Sequence, residues 1–100
     1  MNKTLAKQQI SAASAVAFTA DAWEDYSYWK EQPSKKLKRV DELIKAALRS
    51  PLDGIGKPER LTSNYQGFYS RRIDDKNRLV YTYKDQVLVI AQCRFHYLDK

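Results

Sequence analysis

The residues able to do chemistry gather in the C-terminal half of the chain. Lys57-Pro58-Glu59-Arg60-Leu61 is followed by Gly67-Phe68-Tyr69-Ser70-Arg71-Arg72-Ile73, Asn77-Arg78-Leu79-Val80-Tyr81 and Cys93-Arg94-Phe95-His96-Tyr97. Together these blocks hold a carboxylate, several guanidinium groups and the only histidine of the chain. That set matches the cleavage of an RNA phosphodiester by its own 2′-hydroxyl. A carboxylate such as Glu59 can take the 2′-proton, an imidazolium such as His96 can protonate the departing 5′-oxygen, and a guanidinium such as Arg78 stays charged and offers paired donors to phosphate. Each residue also has an ordinary reading. Glu59 could form a surface salt bridge with Lys57 or Arg60, His96 could be a solvated residue at a strand end, and Arg78 could pair with Asp74 or Asp75 across a turn. Of the nearby aromatic groups, Tyr97 is expected to stack on an RNA base, whereas core packing is the default for Phe68 and for at least one tyrosine.

The elements that must position these groups read as compact α+β. Ala15 to Phe18 is a short apolar run suited to a first strand, and Thr19 stands where it can cap the helix that follows. Trp23, Tyr26 and Trp29 draw one apolar face of that helix, and Pro33 stops it. Ser34 is placed to cap a second helix with Leu37, Val40, Ile44 and Leu48 as its buried stripe, while Lys35, Lys36, Lys38, Arg39, Lys45 and Arg49 mostly point outward. Ser50-Pro51 ends it. The run from Asp53 to Pro58 carries two glycines and a proline and reads as a loop. Three strands are predicted next: Phe68 to Asp74, Arg78 to Lys84, and Val87 to His96, joined by the turns Asp74-Asp75-Lys76-Asn77 and Lys84-Asp85-Gln86.

Such an order gives a curved sheet with both helices on one face and the other face free for a ligand. In the last strand Val87, Val89, Ala91, Cys93 and Phe95 form the more apolar set and are expected to face the helices, leaving Leu88, Ile90, Gln92, Arg94 and His96 on the open side. Alternation leaves undecided which of Arg71 and Arg72 faces that side.

Composition narrows the function classes. One hundred residues make a single small domain, and a formal charge of +6, spread over both halves, favours a polyanionic partner. The basic face of the second helix could dock on RNA phosphates. Cys93 is the only cysteine, so an internal disulfide is excluded and its surroundings do not resemble metal-ligand spacing. Residues 1–14 read as a poorly ordered extension preceding a domain over 15–100. Gln8, Gln9, Ser11 and Ser14 interrupt any secretory core, and no segment approaches the ~18 apolar residues of a membrane span.

From about Ala15 to Tyr97 the chain resembles the YoeB toxins of the RelE-like superfamily, ribosome-dependent messenger-RNA endonucleases paired with YefM-type antitoxins. Five blocks carry the resemblance: Ala22-Trp23-Glu24-Asp25-Tyr26 with Tyr28-Trp29, Gly54-Ile55-Gly56-Lys57-Pro58-Glu59, Ser70-Arg71-Arg72-Ile73, Asn77-Arg78-Leu79-Val80-Tyr81, and Arg94-Phe95-His96-Tyr97. Family members commonly begin near the first strand and end at the His-Tyr pair, whereas this chain adds an N-terminal segment and Leu98-Asp99-Lys100. The resemblance implies a microbial-ribonuclease-like fold with two N-terminal helices on one face of a curved, mainly antiparallel sheet. It implies Glu59 as general base, His96 as general acid, Arg78 as phosphate holder, and Lys57, Arg72 and Tyr97 as RNA-binding residues, with no cofactor and no metal. Its implied partners are the ribosome and its message, a YefM-like antitoxin, a second copy of the chain, and promoter DNA through the toxin–antitoxin complex, all in the cytoplasm. The competing reading is a basic module that binds RNA or antitoxin and obstructs translation without cutting.

Overall fold

A computed structural model describes residues 13–96. The elements run β1 (Ala15–Phe18), α1 (Ala20–Glu31), α2 (Lys36–Arg49), β2 (Glu59–Arg60), a 3₁₀ turn (Ser63–Tyr65), β3 (Tyr69–Arg72), β4 (Arg78–Lys84) and β5 (Val87–Gln92). The five strands form one sheet in the order β1-β5-β4-β3-β2, with β1 parallel to β5 and the other pairs antiparallel. Both helices cover one face. Ala22 and Trp29 of α1 and Val40, Leu43 and Ala47 of α2 pack with Ile73, Leu79, Tyr81, Leu88, Ile90 and Cys93 to make the core. The α+β expectation therefore holds.

Local chemistry explains the boundaries. The Thr19 hydroxyl accepts the Ala22 amide at 3.1 Å, capping α1, and donates to the Ala91 carbonyl at 3.1 Å, which ties that cap to β5. Ser34 accepts the Lys36 amide at 3.3 Å just ahead of α2. Asp85 and Gln86 both take positive φ, 51° and 67°, as the tight hairpin between β4 and β5 requires. Ala13 and Ser14 are tied down, their amides donating to Leu48 and Gln86 carbonyls at 3.0 and 2.8 Å. The rest of the expected extension lies outside the described residues.

Four expectations need correction. Trp23 is not core: it is 51% exposed, and the buried face of α1 is Ala22, Asp25 and Trp29. Phe18 and Tyr26 hold one side of the Trp23 ring, with centroids 5.6 and 5.9 Å away. The fully buried line of α2 runs through Val40, Leu43 and Ala47, with Leu37, Ile44 and Leu48 packed at its margins. The last strand stops at Gln92, short of His96, and its faces are the reverse of the expected ones: Leu88 and Ile90 are fully buried against the helices, opposite Tyr83 and Tyr81. A bulge explains why Cys93 shares the buried side with Leu88 and Ile90 rather than with Val87 and Val89. Val80 pairs with Gln92 and Tyr81 with Ile90, so Ala91 is the extra residue; past it the alternation inverts, sending Gln92 to the open face and Cys93 into the core. Finally, Glu59 and Arg60, just past the loop read over Asp53 to Pro58, form a two-residue edge strand on β3 beyond the strands expected from sequence.

The loop before that edge strand is drawn tightly onto the core at Gly56. Its φ is +90°, its carbonyl accepts the Arg72 amide at 2.7 Å, and a Cβ there would stand 2.5 Å from Leu43 Cδ2 and 3.0 Å from Arg71 Cβ. Gly56→Ala is expected to cost about 1–3 kcal/mol through overpacking and backbone strain, read as a lower urea midpoint at unchanged slope.

Candidate active site

The sheet register decides which residues share the open face. Glu59 pairs with Ser70, Ser70 with Val80 and Val80 with Gln92, making a transverse row across four strands. In the adjacent row Arg72 pairs directly with Arg78, while their neighbours Arg71 and Leu79 point into the core. So Arg72 belongs to the open face and Arg71 does not. The same alternation puts Glu59 on the Arg72 and Arg78 side, two strands from β4, or roughly 10 Å of backbone.

Arg78 is folded over the turn that precedes it. Its Nη1 donates to the Asp74 and Asn77 carbonyls at 2.6 and 3.1 Å, so it makes no ion pair with the neighbouring carboxylates of the kind sequence alone allowed. Arg72 is more open, with its guanidinium 4.0 Å from the exposed Asp75 carboxylate and its carbonyl accepting Arg39 Nη2 at 3.1 Å. Two like charges directly opposite in a ladder repel. An anion between them would relieve that repulsion. Lys57 lines a hollow of about 420 Å³ with Arg72, Arg39, Ile55, Asp74 and Asp75. Glu59 lines a separate hollow of about 410 Å³ with residues 60–65, and neither hollow includes Arg78 or His96. Ser70, Val80, Gln92 and Arg78 on this face are buried, Arg78 at 8% exposure, while Arg72 and Glu59 reach solvent, so the site is a covered row flanked by hollows rather than one enclosed cavity. Among the described residues Glu59 makes no ion pair, and Arg60, one of its expected partners, lies over the Tyr69 ring at 5.8 Å.

His96 is brought to Arg78 through the backbone. The Arg78 amide donates to the Phe95 carbonyl at 3.0 Å, which sets the half-buried His96 immediately beyond it. Two α1 residues hold the start of this turn: Trp29 Nε1 donates to the Cys93 carbonyl at 2.6 Å, and the Cys93 amide donates to the buried Asp25 carboxylate at 3.0 Å. From sequence Trp29 was placed only on the apolar face of α1, and Asp25 was given no role. The available signal was a carboxylate within the apolar stripe Ala22, Asp25, Trp29. Tyr97 lies outside the described residues. Among the described residues no three His, Cys, Asp or Glu side chains group as a metal site, and no helix is long and apolar enough to cross a membrane.

The chain is similar to known proteins in sequence and in fold. Residues 18–97 match the family model of the YoeB-like toxins of bacterial type II toxin–antitoxin systems. The chain belongs to that family. Toxin YoeB of Synechocystis sp. is 52% identical over 82% of this chain and 95% of its own length. Toxin YoeB of Streptomyces coelicolor is 49% identical over 82% of this chain and 98% of its own. A YoeB dimer structure from Staphylococcus aureus superposes with a TM-score of 0.78 at 46% identity, covering 86% of this chain and 100% of that one. YafQ from E. coli, 18% identical at a TM-score of 0.61, shares the fold. The five blocks read as YoeB-like in the sequence are thus those of a YoeB-family chain.

The turn under Arg78 owes its shape to Asp74. The Asp74 carboxylate accepts the Lys76 and Asn77 amides at 2.8 Å and pairs with Lys36 Nζ at 3.0 Å. Burial works to raise this carboxyl, but the Lys36 ammonium, the Lys76 amide and the Asn77 side chain and amide outweigh it and lower it from 3.8 to about 2. A carboxylate held low in the folded state stabilises fully above its unfolded pKa, and that contribution fades as pH falls through the folded value. Asp74→Ala should therefore cost about 1 kcal/mol near neutral pH, as for a lost cap. The gap from wild type should close as pH falls from 3.8 to about 2, followed by urea unfolding across that range.

Proposed function

We propose that this chain is the toxin of a type II toxin–antitoxin pair and a ribosome-dependent endoribonuclease that cuts messenger RNA in the ribosomal A site. The observation that carries the reading is the register: a carboxylate, Glu59, shares the outer sheet face with the cross-strand pair Arg72 and Arg78, while the single imidazole is tethered beside Arg78. Membership of the YoeB family supports it.

In this mechanism the Glu59 carboxylate takes the proton from the 2′-hydroxyl, whose oxygen attacks the adjacent phosphorus. Arg78, with Arg72 opposite, neutralises the charge that builds on the non-bridging oxygens. The bond to the 5′-oxygen breaks as His96 gives that oxygen a proton, leaving a 2′,3′-cyclic phosphate and a 5′-hydroxyl. Lys57 and Tyr97 bind the flanking RNA. Protein groups supply all three functions, so the step calls for no metal, and cutting by stabilised ribosomes should persist in EDTA.

The exposed Lys35, Lys38, Lys45 and Arg49 of α2 would dock on ribosomal RNA phosphates and make binding steeply salt-dependent. Lys36 and Arg39 serve that face less, since they are engaged with Asp74 and the Arg72 carbonyl. Solved relatives from Staphylococcus aureus include a YoeB dimer and a YoeB–YefM complex. By analogy this chain would pair with a YefM-like antitoxin and with a second copy of itself in the cytoplasm, and would reach promoter DNA only within the antitoxin complex.

Obstruction without cutting is the competing reading, and cut ends mapped on a translated message separate the two. Glu59→Gln and His96→Gln should each slow cleavage by ~10²- to 10⁴-fold and Arg78→Lys by ~10²-fold while ribosome binding persists. Equal growth arrest by wild type and all three variants, with the message intact, would establish obstruction instead.

A further inference from the structure

Asn77 joins the two halves of this site in a way that its place in a turn does not require. Its Nδ2 donates to both oxygens of the Asp74 carboxylate, at 3.0 and 3.1 Å, and its Oδ1 accepts the Phe95 amide at 2.7 Å. Only this orientation of the amide satisfies a carboxylate on one side and an N–H on the other. The Asn77 carbonyl accepts Arg78 Nη1 at 3.1 Å, so one residue touches both the arginine and the segment that bears His96.

That segment is held in a conformation it would not adopt unaided. Phe95 has a φ of +65°, in the left-handed region that an aromatic residue seldom occupies unless its surroundings impose it. The restraints converge from several elements. Gln92 Nε2 donates to the Arg94 and Phe95 carbonyls at 2.9 and 3.2 Å, and the Arg94 guanidinium lies 3.4 Å from the centre of the Tyr28 ring. Asn77 and Gln92 therefore grip the Phe95 peptide from the amide and the carbonyl side, one residue before His96.

We infer that Asn77 is a positioning residue: by fixing the Phe95 backbone against Arg78 it aims the His96 imidazole at the oxygen leaving the phosphate that Arg78 holds. This rests on the cleavage reading. Asn77 touches no substrate, and its effect passes entirely through His96. Its loss should impair proton donation while leaving ribosome binding intact.

The test is single-turnover cleavage of ribosome-bound message by Asn77→Ala, alone and combined with His96→Gln. Alone, the substitution should slow cutting by about 10- to 100-fold at unchanged ribosome affinity, the scale of a small misplacement of a reacting group. Combined with His96→Gln it should cost nothing further, because the group it positions is gone. A message with sulfur in place of the bridging 5′-oxygen needs no proton to depart and should bring Asn77→Ala back to within a few fold of wild type. Amide exchange at Phe95 should speed up while exchange in β4 and β5 stays as in wild type. Gln92→Leu, which releases the same peptide from its carbonyl side, should reproduce the pattern should the Asn77 variant fail to fold. Losses that multiply with His96→Gln, no recovery on the sulfur-bridged message, or unchanged exchange at Phe95 in a wild type that cuts would overturn the inference. A wild type that never cuts would instead overturn the cleavage reading, and the catalytic role of Asn77 with it.

Discussion

A buried guanidinium organises the Glu59-bearing side of this molecule. Arg71 is fully inaccessible to solvent and, among the described residues, has no carboxylate partner. Instead Nε donates to Tyr81 Oη at 2.9 Å, Nη1 to the Ile55 carbonyl at 2.6 Å, and Nη2 to the Ser50 and Asp53 carbonyls at 2.8 and 2.7 Å. An unsatisfied buried charge would be severely destabilising, so the chain must supply these oxygens whenever the domain is folded. Three come from the segment after α2, which is thereby wrapped around the cation. Burial raises the Tyr81 phenol against the lowering pull of Arg71, keeping it neutral, and its hydroxyl passes the network on to the Pro51 carbonyl at 2.7 Å. The glycine-rich run reaches Gly56 with its course set, and Lys57 and Glu59 emerge where β3 can receive them.

The opposite side hangs from different anchors. Asp25 and Trp29 fix Cys93 from the helix layer, and the β3–β4 turn fixes Phe95 from the sheet end. The two systems meet on β4, whose Tyr81 serves the Arg71 network and whose Arg78 serves the site. Alternation along one strand thus separates a structural network on the inner face from a functional row on the outer one. Arg71 and Arg72 make the same division on β3.

Much of this was legible in the sequence because periodicity and turn chemistry are local. Thr19 caps α1, Pro33 and Ser50-Pro51 bound the helices, and Asp74 to Asn77 turns the chain where the residue types require it. What was not legible depends on partners far along the chain. Ala91 becomes a bulge only through its pairing with β4, and that one residue puts Cys93 on the buried side with Leu88 and Ile90. Trp23 reads as core by spacing, yet the helix rolls so that Asp25 can reach the Cys93 amide, leaving the indole at the edge. The choice between Arg71 and Arg72 was undecidable by alternation alone, since it is settled by carbonyls of residues 50, 53 and 55. Glu59 and His96 were picked out by residue type and by the family resemblance; their placement rests on non-local pairing.

Separate anchoring of the two sides has a consequence for the chemistry. A base that takes the 2′-proton and an acid that protonates the 5′-oxygen act on opposite sides of one phosphorus, so they must stand apart and must not neutralise each other directly. Placing the carboxylate on the edge strand and the imidazole beyond β5, with the β3 and β4 arginines between them, would keep a cationic divide between the proposed base and the proposed acid. A single scaffold loop carrying both would have left the pair free to form its own hydrogen bond when no substrate was present. On the proposed reading RNA would enter between these flanking groups beside Arg72, the more exposed of the two arginines, since Arg78 is only 8% exposed.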